Sequence, residues 1–501
     1  MKILFFQPAA GFLMRGTTYP VCRGIMTTAT YMKSKGFDVR VHDRCIDFSS
    51  PKKTIEEFAP DIVTVFIPPT VSTSEGVEIS RLARQFGAIV VWAEVIAFAL
   101  AEQAVENGVA DFVINGEAEV KLELLVRELN GDGRFESIPG LTYLENGLAR
   151  TTANANLTDL NTLPMIDWEL IDVEKCFRGF PYCKKMLYMY TSRGCPFRCG
   201  FCYNATFYCS VHRKRPIEFV LGEIKALVRD HGLDGVNFSD ELLLLSDEEI
   251  EKIASFRCQN GLNFYWGGEV RADIYRPESL RRMYDAGCRW LLVGIETGSP
   301  ETRKKINKPM ELIVIRRFVD ACSEAGIATF GSFIIGIPGE KPEDVAQTAQ
   351  FALSLDLDAF LFNFFAAIPK TALCDELVAR GLVDISGLFG SSTGTRVLQC
   401  LTGNYSEVPN VELKVVKAYF DWLTFTRKKN GSSEKHAFAK KAVDTLRHFA
   451  EGGLKATIAN VYNAGKVFVS VVYYSHSHKK IRDRYGLYNV NKKAGGRRAE
   501  H

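Results

Sequence analysis

What this chain lacks narrows its function first. Its 62 lysines and arginines face 59 aspartates and glutamates, a formal charge of +3, so no one-signed field marks it for nucleic acid or an anionic membrane. Its apolar stretches at 89–98 and 360–365 fall far short of the roughly 20 residues needed to cross a bilayer. The 13 cysteines follow no framework spacing, and the opening Met1-Lys2-Ile3-Leu4-Phe5-Phe6 has no cleavable-leader pattern. A reducing cytoplasm without disulfides is therefore expected. With 501 residues, 47% of them hydrophobic, the chain is long enough for two or three buried cores.

What is present is an alternation of short apolar runs and amphipathic stretches. Strands are expected at 3–6, 38–41, 62–67, 89–92 and 112–114, with helices near 24–35, 74–86, 97–107 and 120–129. Strands joined by such crossovers predict an α/β fold with a doubly wound parallel sheet, whose ligands sit outside the carboxyl ends of the strands. A linker rich in Asn, Thr and Leu is expected from 140 to 185. The alternation resumes with strands at 187–191, 235–238, 263–266, 290–295, 329–335 and 359–364. Beyond 387 the pattern turns helical (411–426 and 438–449) and ends in a basic tail, read as solubilising.

The densest chemistry lies in Thr191-Ser192-Arg193-Gly194-Cys195-Pro196-Phe197-Arg198-Cys199-Gly200-Phe201-Cys202-Tyr203. Thiolates at this spacing can hold three irons of a cubane and leave the fourth open to a chelating small molecule. The plainer reading is a zinc knuckle completed by Cys209 or His212. Structural zinc favours two close pairs of ligands, which three cysteines so near together fit poorly.

The CxxxCxxC run, with Ser192-Arg193-Gly194 before it and Phe201 just ahead of the last cysteine, resembles the radical S-adenosylmethionine (SAM) superfamily. The first part resembles the cobalamin-binding domain that precedes the radical SAM domain in one subgroup, on Tyr19-Pro20, Lys35-Gly36-Phe37-Asp38-Val39, Ala59-Pro60-Asp61-Ile62-Val63 and Asp111-Phe112-Val113-Ile114-Asn115-Gly116-Glu117. The pattern departs in two places: no Asp-x-His-x-x-Gly follows the third strand, and Trp92-Ala93-Glu94 replaces a pair of glycines after the fourth. The resemblance implies a Rossmann-like cobalamin-binding domain at 1–139, a linker at 140–185, a partial (βα)6 barrel at 186–386 and a mainly helical region with a basic tail at 387–501.

The resemblance also assigns roles. Cys195, Cys199 and Cys202 would hold a 4Fe–4S cluster, with Phe201 beside it. Glu241 or Asp240 would accept from the SAM amino group, Arg271 would take its carboxylate bidentately, and Glu296 would accept from the ribose. Gly331, Ser332 and Gly336, in the segment 330–340, would let adenine lie against backbone. Gly116 and Glu117, with Thr70, Val71 and Ser72 under the corrin, would face cobalamin, while His42 is read as solvated or hydrogen bonded. Pro369-Lys370-Thr371 stands where the subgroup has Pro-Gly-Thr, with Lys370 on the substrate side. Tyr190, Tyr203, Tyr208, Trp266 and Phe365 are candidate cavity aromatics, with core packing as their default.

The implied activity is methyl transfer to an unactivated carbon of a small-molecule substrate. Cluster-driven SAM cleavage would give a 5′-deoxyadenosyl radical that takes a hydrogen atom, and methylcobalamin would donate the methyl group. Such chemistry needs an external one-electron reductant of the flavodoxin or ferredoxin type. The alternatives are cyclisation, ring rearrangement or oxygen insertion without methyl transfer, and a radical SAM enzyme whose first domain is a vestigial lid.

Overall fold

The computed structural model describes residues 1–9, 23–69, 73–153, 157–385, 389, 403–426, 479–485 and 487. Seven strands build the first sheet: β1 (Lys2–Gln7), β2 (Asp38–Asp43), β3 (Ile62–Phe66), β4 (Ile89–Ala93), β5 (Phe112–Ile114), β6 (Leu141–Glu145) and β7 (Leu148–Thr151). Their order is β2-β1-β3-β4-β5-β6-β7. The neighbours from β2 to β5 pair in parallel, and β5-β6-β7 run antiparallel.

Side chains on these strands alternate between two cores. Leu4, Phe6, Val63, Val65, Val90 and Trp92 join Ile55, Phe58, Val77 and Ile79 of helices Pro51–Phe58 and Thr73–Gln85. Ile3, Phe5, Ile62, Val91 and Ile114 join Ile25, Met26, Leu122 and Leu125 of helices Arg23–Ser34 and Glu119–Leu129. Both faces are covered, which is why the strands read as continuous apolar runs. Each large side chain so buried contributes about 1.5–3 kcal/mol.

Three features depart from the sequence reading. Helix Pro51–Phe58 supplies the crossover from β2 to β3, with proline in its first turn, where the missing N–H costs nothing. The single helix expected at 97–107 is two, Val95–Ala99 and Ala101–Glu106, broken at Leu100. The stretch read as a linker holds β6 and β7, because Leu141 and Tyr143 alternate inward and extend the sheet.

A second sheet contains β8 (Arg178–Phe180), β9 (Cys183–Met189), β12 (Gly235–Phe238), β13 (Tyr265–Val270), β14 (Cys288–Glu296), β15 (Ala328–Ile335) and β16 (Ala359–Phe364), in the order β16-β15-β14-β13-β12-β9-β8. Between β9 and β12 lies a short ladder of β10 (Ser192–Arg193) and β11 (Arg213–Lys214). The chain forms two compact units, one of Met1–Val270, Glu278–Trp290 and Ala366–Gly403, the other of Arg271–Pro277, Leu291–Phe365 and Asn404–His501.

Within the first unit, the segment after β16 returns to the first sheet. Ile368, Ile385 and Phe389 pack on its core, and Phe389 meets Trp92 edge-on with centroids 5.9 Å apart. Within the second unit, Phe333, Phe362 and Phe420 stack at 4.6 and 4.0 Å, seating helix Asn410–Thr426 on β15 and β16. The helix expected at 438–449 lies outside the described residues. Among the described residues no helix is long and apolar enough to cross a membrane.

Candidate active site

The cysteine run starts where β9 stops, and residues after β12 hold its start in place. Ser239 donates from its backbone N–H to the Met189 carbonyl at 2.7 Å. The Asp240 carboxylate, buried, accepts from Thr191 N at 2.8 Å, Thr191 Oγ1 at 2.5 Å and Ser192 N at 3.2 Å. Glu241 Oε2 accepts from Gly194 N at 2.9 Å. Both acidic residues expected near the SAM amino group thus touch the backbone leading into Cys195.

Gly194 sits at φ 81°, and a Cβ there would lie 2.0 Å from the Val211 carbonyl oxygen. Only glycine meets both demands. Beyond it Cys195, Cys199 and Cys202 are half-buried thiols outside any disulfide. Cys202 N donates to the Cys199 carbonyl at 3.0 Å, and Asn204 Nδ2 donates to Cys202 Sγ at 3.3 Å. Burial pushes the Cys202 thiol up to about 11, with Cys199 and Cys195 adding to the rise.

Among the described residues no group of three or more His, Cys, Asp or Glu is placed to hold a metal ion together. In a cubane each thiolate binds a different iron, so its ligands need not converge on one point, and the loop fits that group. The zinc reading gains no support from its fourth ligands: His212 Nε2 lies 3.2 Å from the Leu242 carbonyl, and the exposed Cys209 sulfur faces the Thr206 carbonyl. Phe201 is half-buried. Leu373 N donates to the Gly200 carbonyl at 2.9 Å, tying the returning segment to this loop.

The second unit gathers other candidates. Glu296 is buried at φ 64° and accepts from Lys308 Nζ at 2.7 Å, while the same amine reaches the Gly294 carbonyl at 2.8 Å. This is an interior ion pair, not a rim one. Arg271 is gripped through two bonds by Asp273, at 3.0 and 2.8 Å. Gly336 N and Ile337 N both donate to Glu340 Oε2, at 2.7 and 3.2 Å, so those amides are already occupied. Burial lifts the Glu340 carboxyl to about 8 despite the two bonds. Gly331 is packed tightly: a Cβ there would lie 2.6 Å from Leu357 Cδ1. The neighbouring Ser332 is half-buried.

At the rim of the first sheet, Gly116 takes φ 88° directly after β5. Glu94, at the end of β4, holds φ 85° and ψ 179°, a conformation that favours glycine. A Cβ on Gly24 would lie 2.0 Å from Glu94 Oε1. Glu94 and Gly24 line a cavity of about 10 Å³ with Thr28, Gly116, Glu117, Glu119 and Arg193, room for about one water. His42 is buried, stacks on Phe6 and lies 2.9 Å from Thr54 Oγ1 through Nδ1, and burial lowers its affinity for a proton. Thr70, Val71 and Ser72 lie outside the described residues.

The aromatic candidates divide. Tyr190 is buried between the guanidiniums of Arg193 and Arg215, at 5.2 and 4.7 Å. Trp266 donates to the Ala286 carbonyl inside the core, Phe365 is buried with Tyr405 edge-on at 6.1 Å, and Tyr203 meets Phe207 edge-on. Tyr208 lines the small cavity. Lys370 takes φ 64°, a left-handed conformation that favours glycine, and points its amine at Glu102, 3.2 Å away. Tyr188 pairs with Asn237 across β9 and β12. Asn237 in turn accepts from Trp290 Nε1 at 2.8 Å.

Residues 189–352 match the family profile described as the radical SAM superfamily. The chain carries a radical SAM domain. It is 29% identical over 400 residues to an uncharacterised methyltransferase of Pyrococcus horikoshii, covering 76% of this chain and 84% of that one. It is 26% identical over 396 residues to the anaerobic magnesium-protoporphyrin IX monomethyl ester cyclase of Cereibacter sphaeroides, covering 75% and 64%. Its fold is similar to that of the radical SAM methyltransferase TsrM of Kitasatospora setae, solved with cobalamin and a 4Fe–4S cluster, at TM-score 0.62, 20% identity and coverage of 76% and 75%. It is also similar to the cobalamin-dependent radical SAM enzyme OxsB, solved with aqua-cobalamin, at TM-score 0.64, 15% identity and coverage of 97% and 79%.

Proposed function

We propose that this radical SAM enzyme is a cobalamin-dependent methyltransferase acting at an unactivated carbon of a small molecule in the cytoplasm, fed by an external one-electron reductant. The observation that carries the reading is the loop of Cys195, Cys199 and Cys202, anchored at the end of a parallel strand in a chain whose other half is a doubly wound sheet. When bound, the cluster supplies the electron that cleaves SAM, and the corrinoid supplies the methyl group.

The chain's own residues then have defined tasks. The three cysteines hold the cluster. Asp240 fixes the backbone at Thr191 and Ser192, and Glu241 fixes Gly194. Glu241 is also the carboxylate assigned to the SAM amino group. Glu296, held by Lys308, offers its other oxygen to ribose hydroxyls, and Arg271, steadied by Asp273, is the cation for the SAM carboxylate. On the first sheet the backbone turns at Glu94 and Gly116 fit close approach by a corrinoid, while the Glu94 carboxylate lies against Gly24 and narrows the space there. The domain reading at 1–139, 140–185, 186–386 and 387–501 accompanies this proposal.

Similarity to the anaerobic cyclase favours a second reading, ring closure or rearrangement with the same cofactors and no methyl transfer. Anaerobic reconstitution with cobalt analysis, followed by product analysis, separates the two. S-adenosylhomocysteine formed together with 5′-deoxyadenosine supports methyl transfer. 5′-Deoxyadenosine alone with substrate turnover supports the second reading, and bound iron without corrin under saturating hydroxocobalamin contradicts both.

A further inference from the structure

The cysteine loop, residues 194–212, leaves and re-enters the fold through the β10–β11 ladder. In that ladder Arg193 stands directly opposite Arg213. Like charges facing each other across strands repel, and Arg193 is buried as well, so the base of the loop would spring apart without a counter-charge. Glu117, from the turn after β5, supplies it. Its Oε1 accepts from Arg193 at 3.0 Å and from Arg213 at 2.9 Å, and its Oε2 accepts from Arg213 at 2.9 Å and from Thr158 N at 2.8 Å. Glu119 Oε1 completes the balance, accepting from Arg193 at 2.7 Å and from Thr27 Oγ1 at 2.8 Å. Burial alone would raise the Glu117 carboxyl, but the two guanidiniums together hold it below the usual carboxylate value.

We infer that Glu117 is a positioning residue, a latch that closes the base of the cysteine loop and so sets the spacing of the three thiols. Resemblance to the cobalamin domains would make it a corrinoid contact; the geometry gives its carboxylate to two arginines flanking the loop. Gly116 to Glu119 lie at the carboxyl end of a parallel sheet, where such folds take ligands. A ligand seated there presses on the same turn that clamps the loop. This last step rests on the function proposed above, whereas the latch itself rests on the ladder alone.

The test compares the unsubstituted protein with Glu117→Gln/Arg213→Gln, which removes the latch while keeping the buried charges balanced. Two rates are measured: tryptic cleavage after Arg198 in the metal-free protein, and iron loss to a chelator from the anaerobically reconstituted protein. Its reduced-cluster EPR spectrum is recorded with and without SAM. With the unfolding midpoint unchanged, both rates should rise about tenfold or more, and the SAM-induced spectral shift should shrink. Rates and spectra equal to those of the unsubstituted protein overturn the latch. Should the double variant fail to fold, Arg213→Lys, which keeps the charge but loses the two-point grip, decides by the same criteria. A protein that takes up no iron contradicts the cluster proposal instead, and the tryptic comparison still judges the latch.

Discussion

Asp240 and Thr191 are joined twice, through the Thr191 backbone N–H at 2.8 Å and its hydroxyl at 2.5 Å. The end of β12 thereby fixes the residue from which the chain departs toward Cys195. An amide at this position keeps one acceptor oxygen and brings an N–H₂ face to face with a donor. Asp240→Asn is expected to cost about 1–3 kcal/mol, the usual penalty of leaving buried polar groups unpaired. Urea unfolding measures the loss, and iron content after reconstitution should fall with it.

Gly194→Ala tests the same loop from the other side. Its positive φ and the Val211 carbonyl 2.0 Å from a would-be Cβ leave no relaxed conformation for alanine. The variant should lose at least about 1–3 kcal/mol and hold iron poorly. Gly232→Ala, at φ 65° with nothing near its would-be Cβ, should lose less in the same unfolding assay.

Glu94 carries backbone strain of about 1–3 kcal/mol, partly offset by the entropy glycine would lose in its place. Glu94→Gly should therefore raise the unfolding midpoint modestly. It also removes the carboxylate beside Gly24, so equilibrium dialysis should show tighter hydroxocobalamin binding. A lower midpoint with weaker binding would show that Glu94 is a contact and not an obstruction.

Much of this was legible in the sequence, and what was not has a common cause. The continuous apolar runs of β1, β3, β4 and β5 and the cysteine spacing are local patterns, so strands and thiols could be placed directly. Leu141 and Tyr143 alternate over too few residues to distinguish a sheet edge from a linker. The partners of Glu117, Asp240 and Lys370 lie far along the chain, at Arg193, Thr191 and Glu102, and no local pattern encodes such pairings. Glu117 was therefore read through resemblance as a ligand contact, while the ladder that claims its carboxylate became visible only in the fold.

Two buried carboxyls make stability depend on pH. Burial raises Asp43 from 3.8 to about 7 and Glu340 from 4.5 to about 8. Both bind a proton more tightly folded than unfolded, so their contribution is full below the unfolded values. It is lost progressively as pH rises through about 4 to 8, because there the folded state carries more protons. Asp43→Asn and Glu340→Gln should each flatten the fall of unfolding free energy across that window, measured by urea titration at a series of pH values.

Cys195, Cys199 and Cys202 are proposed to hold a cluster with an iron open to SAM. EPR of the anaerobically reconstituted, dithionite-reduced protein, recorded before and after adding SAM, tests this most directly. A reduced 4Fe–4S signal should appear, change when SAM binds, and be absent from the variant with all three cysteines replaced by alanine. A signal indifferent to SAM, or one that survives in the triple variant, would contradict it.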